Sequence, residues 1–314
     1  MPARLIKIIF VALFCAGMPH TAYSQALDDA FLRSTVLVAF STGPMSQSVG
    51  SGFLLFRPVS DNQGQVYLIT NKHVLPSPTG PDNITIRVNI KSAANPQVQD
   101  LPVPIYNKKK QYLPTVRFHP NPGYDVAAVN ITEQVARQGI EGVWLPYDLL
   151  VTDERLKDEH ISIGDDIFLL GYPDGIFDQR NVSPILRRGV LATSPNQGYA
   201  FNERLRRQYG LPERIDGFLI DAGVFPGSSG SVVILAPQPT TLGARGETVV
   251  SSAKKIPYVL GVVSGSIPIA DSALGSVQRL GLGVVYGTKT IREVVELFYS
   301  ASAAYLNTPL EPSR

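Results

Sequence analysis

Residues 226–231 read Pro-Gly-Ser-Ser-Gly-Ser and lie between the strand-like runs Gly217–Asp221 and Ser231–Ala236. A short turn dense in Gly and Ser can aim two backbone N–H groups and one hydroxyl at a single point. Acyl transfer needs that convergence, because the attacking oxygen and the donors for the developing oxyanion must meet within about 3 Å. Gly and Ser are also the ordinary residues of tight turns, so Ser228, Ser229 and Ser231 stand at first as three candidate hydroxyls. A hydroxyl is a weak nucleophile until a base takes its proton. Beyond residue 25 the chain has three histidines: His73 in a polar turn after Tyr67–Thr70, His119 in Phe118-His-Pro-Asn-Pro, and His160 in a charged stretch. Asp125 heads the apolar run Val126–Ile131. A carboxylate in that place is drawn partly inward and needs a donor. An imidazole N–H fits; an Asx turn closing Pro122-Gly-Tyr124 is the alternative. Histidine, aspartate and serine, in that chain order, are the types needed for base-assisted attack on a carbonyl.

Strands must position these residues. Eleven short runs, from Thr35–Phe40 to Gly283–Tyr286, are rich in Val, Ile, Leu and Tyr and bounded by Gly, Pro, Asn or Asp, the pattern of an all-β sandwich or barrel. No βαβ alternation occurs. One helix is expected near the C-terminus: Thr290 and Glu293 fit a capping box, and Ile291, Val294, Val295 and Phe298 share a face. A short helix is also expected at Leu27–Leu32. The chain divides into two β-units, 26–150 and 151–302, joined by the charged segment Thr152–Glu159 and followed by a tail, 303–314. Segments 91–114, with four Pro, and 174–215, with seven Arg, are expected as loops, their charges solvated.

Composition narrows the class. Arg4 and Lys7 precede the apolar run Ile8–Gly17, and small-residue sites follow at Ala22-Tyr-Ser24 and Ser24-Gln-Ala26, so residues 1–25 read as a secretory signal peptide. Export to the periplasm or the medium is expected, with no membrane span after the signal is removed. Residues 1–25 carry two basic side chains and no acid, leaving 26 Lys+Arg against 26 Asp+Glu; bulk charge gives no hold on nucleic acid. The single cysteine, Cys15, leaves with the signal, which excludes disulfides, cysteine–zinc sites and a cysteine nucleophile. No cofactor or metal is implied.

Three segments, Ile69-Thr-Asn-Lys-His-Val74, Tyr124-Asp-Val-Ala-Ala-Val129 and Pro226-Gly-Ser-Ser-Gly-Ser231, resemble the catalytic blocks of trypsin/chymotrypsin-like serine proteases, most nearly the exported, disulfide-free HtrA-like branch without a PDZ domain. Gly50-Ser-Gly-Phe-Leu-Leu55, Leu169–Pro173, Gly261–Gly265 and Gly283–Tyr286 extend the likeness over roughly residues 35–300. The resemblance implies two six-stranded antiparallel Greek-key β-barrels with a C-terminal helix, and a serine endopeptidase acting on protein or peptide substrates through an acyl-enzyme. It selects Ser229 as nucleophile, His73 as base, Asp125 as the group orienting it, and the N–H groups of Gly227 and Ser229 as oxyanion hole. It places the primary specificity pocket at Gly223, Ser264, Gly265 and Ser266. With no acid at its base, a small or apolar substrate side chain is expected there. One departure stands out. Trypsin-type zymogens carry an aspartate before the nucleophile, which receives a new N-terminal ammonium on activation; here that place is Ser228, so the switch is expected to be absent.

Other readings fit less well. An α/β-hydrolase would have Gly-x-Ser-x-Gly and the order Ser, Asp, His. Gly281-Leu-Gly283 does not complete a dinucleotide loop, and the Asn-x-Ser/Thr triplets at Asn83, Asn130 and Asn181 are short enough to arise by chance. The remaining alternative is a catalytically inactive protease-like module that binds through the Arg-rich 174–215 insert.

Overall fold

A computed structural model describes residues 27–60, 63–90, 97–178, 183–237, 240–242, 248–250, 257–271 and 276–306. The expected signal peptide with Cys15, the Asn181 triplet's first residues and residues 307–314 lie outside them. The first unit is a sheet built from β1 (Thr35–Gly43), β2 (Ser46–Ser60), β3 (Gln63–Thr70), β4 (Asn83–Ile90), β5 (Gln97–Pro104), β6 (Val116–Phe118), β7 (Ala127–Asn130) and β8 (Leu145–Pro146). Its order is β5-β4-β1-β2-β3-β7-β6, with β8 parallel to β2 and the other neighbours antiparallel. The second unit starts with β9 (Asp166–Gly171) and β10 (Ile185–Leu191), passes a small pair β11 (Tyr199–Ala200) and β12 (Arg214–Ile215), and continues with β13 (Gly217–Asp221) and β14 (Val232–Leu235). A second small pair, β15 (Thr240–Leu242) and β16 (Thr248–Val250), precedes the long hairpin β17 (Val259–Asp271) and β18 (Ser276–Gly287). Six of these strands close into a barrel, β10-β13-β18-β17-β14-β9. The all-β, chymotrypsin-like architecture expected from the sequence is therefore present; the first sheet has eight strands, seven along its path and β8 beside β2, where a six-stranded ring was expected.

The pleat explains why so many strands read as unbroken apolar runs. Successive side chains of a strand point to opposite faces. In β2, Leu54 packs inside the first unit while Phe53 and Leu55 join a third cluster shared by both units; in β3, Leu68 faces one way and Tyr67 and Ile69 the other. The barrel mirrors this. Leu169 and Val233 fill its interior, whereas Leu170, Val232 and Ile234 meet Phe53, Leu55 and Ile69 in the shared cluster. Both faces are buried, so neither shows a polar alternation.

Helices close the joint. The segment α1 (Asp29–Ser34) starts two residues later than expected, with Asp28 accepting from the Ala30 N–H as its N-cap. The charged linker is largely a short helix, α3 (Asp153–Asp158), following α2 (Thr132–Arg137), and α4 (Glu203–Tyr209) lies inside the 174–215 segment. The last helix, α5 (Thr288–Leu306), presses Ile291, Val294 and Val295 into the shared cluster, with Phe298 alongside. It begins earlier than expected, and it runs four residues into the expected tail. Thr290 and Glu293 form no capping box: the Thr290 hydroxyl donates to the Gly287 carbonyl at 2.8 Å, and Glu293 meets His119 Nε2 at 2.7 Å. Two expected loops are partly strands. β5 carries Pro102 and Pro104, which an edge strand tolerates because its outer N–H groups need no partner, and it is the edge of its sheet. β10 overlaps the expected run Gly189–Thr193 but starts earlier, at Ile185, through Arg187 and Arg188.

Candidate active site

His73 sits in the single helical turn Lys72–Val74 that follows β3. Its Nδ1 lies 2.5 Å from Asp125 Oδ2, and its backbone N–H donates to Asp125 Oδ1 at 3.1 Å. Asn71 fixes the other end of the aspartate by donating from Nδ2 to the Asp125 carbonyl at 2.6 Å. The Ser264 hydroxyl donates to Asp125 Oδ2 at 2.7 Å. Three donors thus converge on one carboxylate, the compensation that a half-buried charge requires. A carboxylate accepts only, so the proton of the contact is on His73 Nδ1, and in the neutral imidazole Nε2 is then the acceptor. The Asx turn weighed for Asp125 belongs to Asn121, whose side chain accepts from Gly123 N–H at 3.0 Å. Beneath the pair, burial pushes the Tyr286 hydroxyl up to about 12, keeping it a neutral donor to the Gly123 carbonyl at 3.2 Å.

The other two histidines are structural. His119 joins β6 to α5 through Glu293 and accepts from the Asn121 N–H at 3.0 Å. His160 sits just past α3 with a backbone φ of 52°.

The loop Ala222–Ser231 separates the three candidate hydroxyls. Ser228 and Ser231 are fully buried, and Ser231 Oγ has no hydrogen-bond partner among the described residues. Ser229 alone of the three is partly exposed. Its hydroxyl donates to the Ser264 carbonyl at 2.8 Å, so a continuous run of hydrogen bonds links His73, Asp125, Ser264 and Ser229. Ser229 makes this bond rather than one to His73.

Backbone polarity in the loop is equally specific. The N–H groups of Ser228, Gly230 and Ser231 donate to the carbonyls of Phe225, Val263 and Ser228 at 3.1, 2.8 and 3.0 Å. Among the described residues, those of Gly227 and Ser229 donate to no protein acceptor. The Pro226 carbonyl accepts from Asp174 N–H at 2.7 Å, and no peptide bond among the described residues is cis. In a trans peptide C=O and N–H point in opposite directions, so the Gly227 N–H faces away from Asp174. Gly227 has φ 78°, and a Cβ there would lie 2.6 Å from the Tyr172 carbonyl oxygen; only glycine fits.

Ser51, in β2, ties this loop to the first unit. Its N–H donates to the Ser229 carbonyl and its hydroxyl to the Gly227 carbonyl, both at 2.8 Å, while Oγ accepts from Tyr172 N–H at 2.8 Å. Thr70 holds the Ser51 carbonyl at 2.7 Å. None of this is legible locally, because Ser51 and Gly227 are far apart in the chain.

Of the expected pocket residues, Ser264 commits its side chain to Asp125 and offers its backbone to Ser229. Gly265 borders open space, as does Gly281, and a Cβ at Gly223 would meet only the Phe225 ring, at 3.6 Å. Of the arginines, Arg188, Arg206 and Arg207 lie at the surface as expected, and Arg187 departs from the expectation. Arg188, Arg206 and Arg207 pair with Asp166, Glu213 and Glu203, Arg214 donates to the Gln197 carbonyl, and Arg187 turns inward to the loop.

A six-stranded barrel and a second β-sheet with this loop at their junction define a trypsin-like peptidase fold. Residues 50–238 match the trypsin-like peptidase domain family, and the chain belongs to it. No curated protein matches the chain. Similar solved structures include the Rv3671c protease of M. tuberculosis in its inactive form, at 18% identity and TM-score 0.45, covering 86% of this chain and 91% of that one. Deg5 is similar at 15% identity and TM-score 0.47, covering 87% and 92%.

Replacing Ser51 with alanine strands the Tyr172 N–H and the Gly227 carbonyl in a buried setting. A loss of about 1–3 kcal/mol is expected, read as a lowered urea midpoint with unchanged slope. An unchanged midpoint would show the joint to be held elsewhere.

Proposed function

We propose that the protein is a serine endopeptidase in which Ser229, His73 and Asp125 cleave peptide bonds through an acyl-enzyme. The observation that carries the reading is the pair of unengaged N–H groups, Gly227 and Ser229, flanking the one partly exposed serine of the loop. Free donors held by a fixed backbone suit an oxygen that becomes negative during reaction, where removal of one such donor costs roughly 3 kcal/mol.

With substrate in place, the Ser229 hydroxyl leaves the Ser264 carbonyl and turns its proton toward His73 Nε2. Oγ bonds to the substrate carbonyl carbon as the proton passes to Nε2, and the carbonyl electron pair moves onto oxygen between the two N–H groups. Asp125 stabilises the imidazolium and keeps Nδ1 as the protonated nitrogen. The intermediate expels the amine, which takes the proton from Nε2. Water, activated by the same nitrogen, then releases the acyl group and restores Ser229.

The pocket supports a small or apolar preference for the residue before the cut. Gly223 and Gly265 contribute no side chains, and a Cβ at Gly223 would meet only the Phe225 ring.

Two measurements test this. A fluorophosphonate probe is expected to label the folded protein once, on Ser229 by tandem mass spectrometry, with no labelling of Ser229→Ala. A folded wild type that takes no label would sink the reading and favour the inactive binding module. In a complex peptide mixture, cuts are expected after small or apolar residues; predominant cleavage after Lys or Arg would contradict the pocket assignment.

A further inference from the structure

The loop needs something to hold its shape, because three of its residues are glycines at φ 59° (Gly223), 78° (Gly227) and 87° (Gly230), and glycine leaves a chain many other conformations. Ser228 occupies the place where an aspartate would receive an activating ammonium, so that tie is missing. A different cation is present. Arg187, in the middle of β10, donates from Nη2 to Ser228 Oγ at 2.8 Å and from Nη1 to the Gly223 carbonyl. Its guanidinium also lies over the Phe225 ring, 5.7 Å from the centroid. Phe225 N–H reaches the same Ser228 oxygen at 3.4 Å, and Ser228 N–H returns to the Phe225 carbonyl. The neighbouring Arg188 behaves quite differently, pairing with Asp166 at the surface.

We propose that Arg187 is a positioning residue for the nucleophile: its fork joins the two ends of Gly223–Ser228 and so fixes the directions of the Gly227 and Ser229 N–H groups. This rests on the serine-peptidase reading and adds to it that the loop is built without proteolytic activation. Guanidinium suits the task because its donors form a rigid planar fork that spans two acceptors at once. A lysine offers one point charge. Burial pushes the Arg187 guanidinium below the ordinary arginine value, yet arginine stays charged near neutral pH, so the tie persists throughout the working range. Both partners are neutral oxygens, and among the described residues no carboxylate pairs with the fork.

The test compares fluorophosphonate labelling rates and peptide kinetics in folded variants. Arg187→Ala is expected to label about 100-fold more slowly, the scale of losing an oxyanion donor, with the loss in kcat rather than KM. Added ethylguanidinium is expected to restore about tenfold of that rate by refilling the vacated fork. Should Arg187→Ala fail to fold, Ser228→Ala removes the same bond and is expected to slow labelling as well. If wild type labels and folded Arg187→Ala labels within about threefold of it, or slowed labelling shows no response to ethylguanidinium, the proposal for Arg187 falls while the peptidase reading stands. If wild type does not label, the peptidase reading fails first and takes this proposal with it.

Discussion

One serine hydroxyl connects the halves of the site. Ser51 belongs to the unit that carries His73 and Asp125, yet its polar atoms serve the loop that carries Ser229: the Gly227 and Ser229 carbonyls on one side, the Tyr172 N–H on the other. These bonds satisfy loop carbonyls that would otherwise compete for direction with the N–H groups beside them. The carbonyls that share peptides with the Gly227 and Ser229 N–H groups are those of Pro226 and Ser228, which accept from Asp174 and Ser231, and trans-peptide geometry turns the two N–H groups the opposite way; Ser51 holds the alternate carbonyls, Gly227 and Ser229. The polarity of the site is thus a consequence of where its carbonyls are tied.

The shared apolar cluster makes that joint rigid. Phe53, Leu55, Tyr67 and Ile69 from one unit meet Leu170, Val232 and Ile234 from the other, and α5 covers them with Ile291, Val294 and Val295. The strands that bear the site residues are the ones whose outward faces form this cluster: β2 and β3 lead to Ser51 and His73, and β14 follows directly on Ser229. Dense packing transmits small displacements, so the separation of His73 from Ser229 is set by the same contacts that hold the units together. Ser264 adds a polar link across the cleft, bonding Asp125 through its hydroxyl and Ser229 through its carbonyl.

The site's ends were legible in the sequence and its supports were not. His73, Asp125 and Ser229 each sit in a short block whose local chemistry is unusual, whether an aspartate heading an apolar strand or a Gly- and Ser-dense turn before one. Ser51 looked like part of a strand, because its partners lie far away in the chain. Arg187 looked like one of seven solvated charges; nothing nearby in sequence distinguishes it from Arg188, and only the path of β10 turns one inward and the other out. The Pro-rich segment disguised β5 because an edge strand obeys looser rules than a central one. Thr290 and Glu293 matched a capping box, but a local bond back to the Gly287 carbonyl claimed the first side chain and a tertiary partner, His119, the second. Local pattern found the residues with chemistry, and tertiary hydrogen bonding decided how they are held.

The central claim is that the loop is already built to receive an oxyanion between Gly227 and Ser229. A crystal structure of the protein treated with a peptide boronic acid addresses it directly. The account predicts a covalent bond from boron to Ser229 Oγ, one boronate oxygen between the Gly227 and Ser229 N–H groups, and the backbone of 222–231 unmoved, with Ser51 and Arg187 keeping their bonds. A boronate on another residue, or a loop that must flip its 226–227 peptide to bind it, would contradict the account.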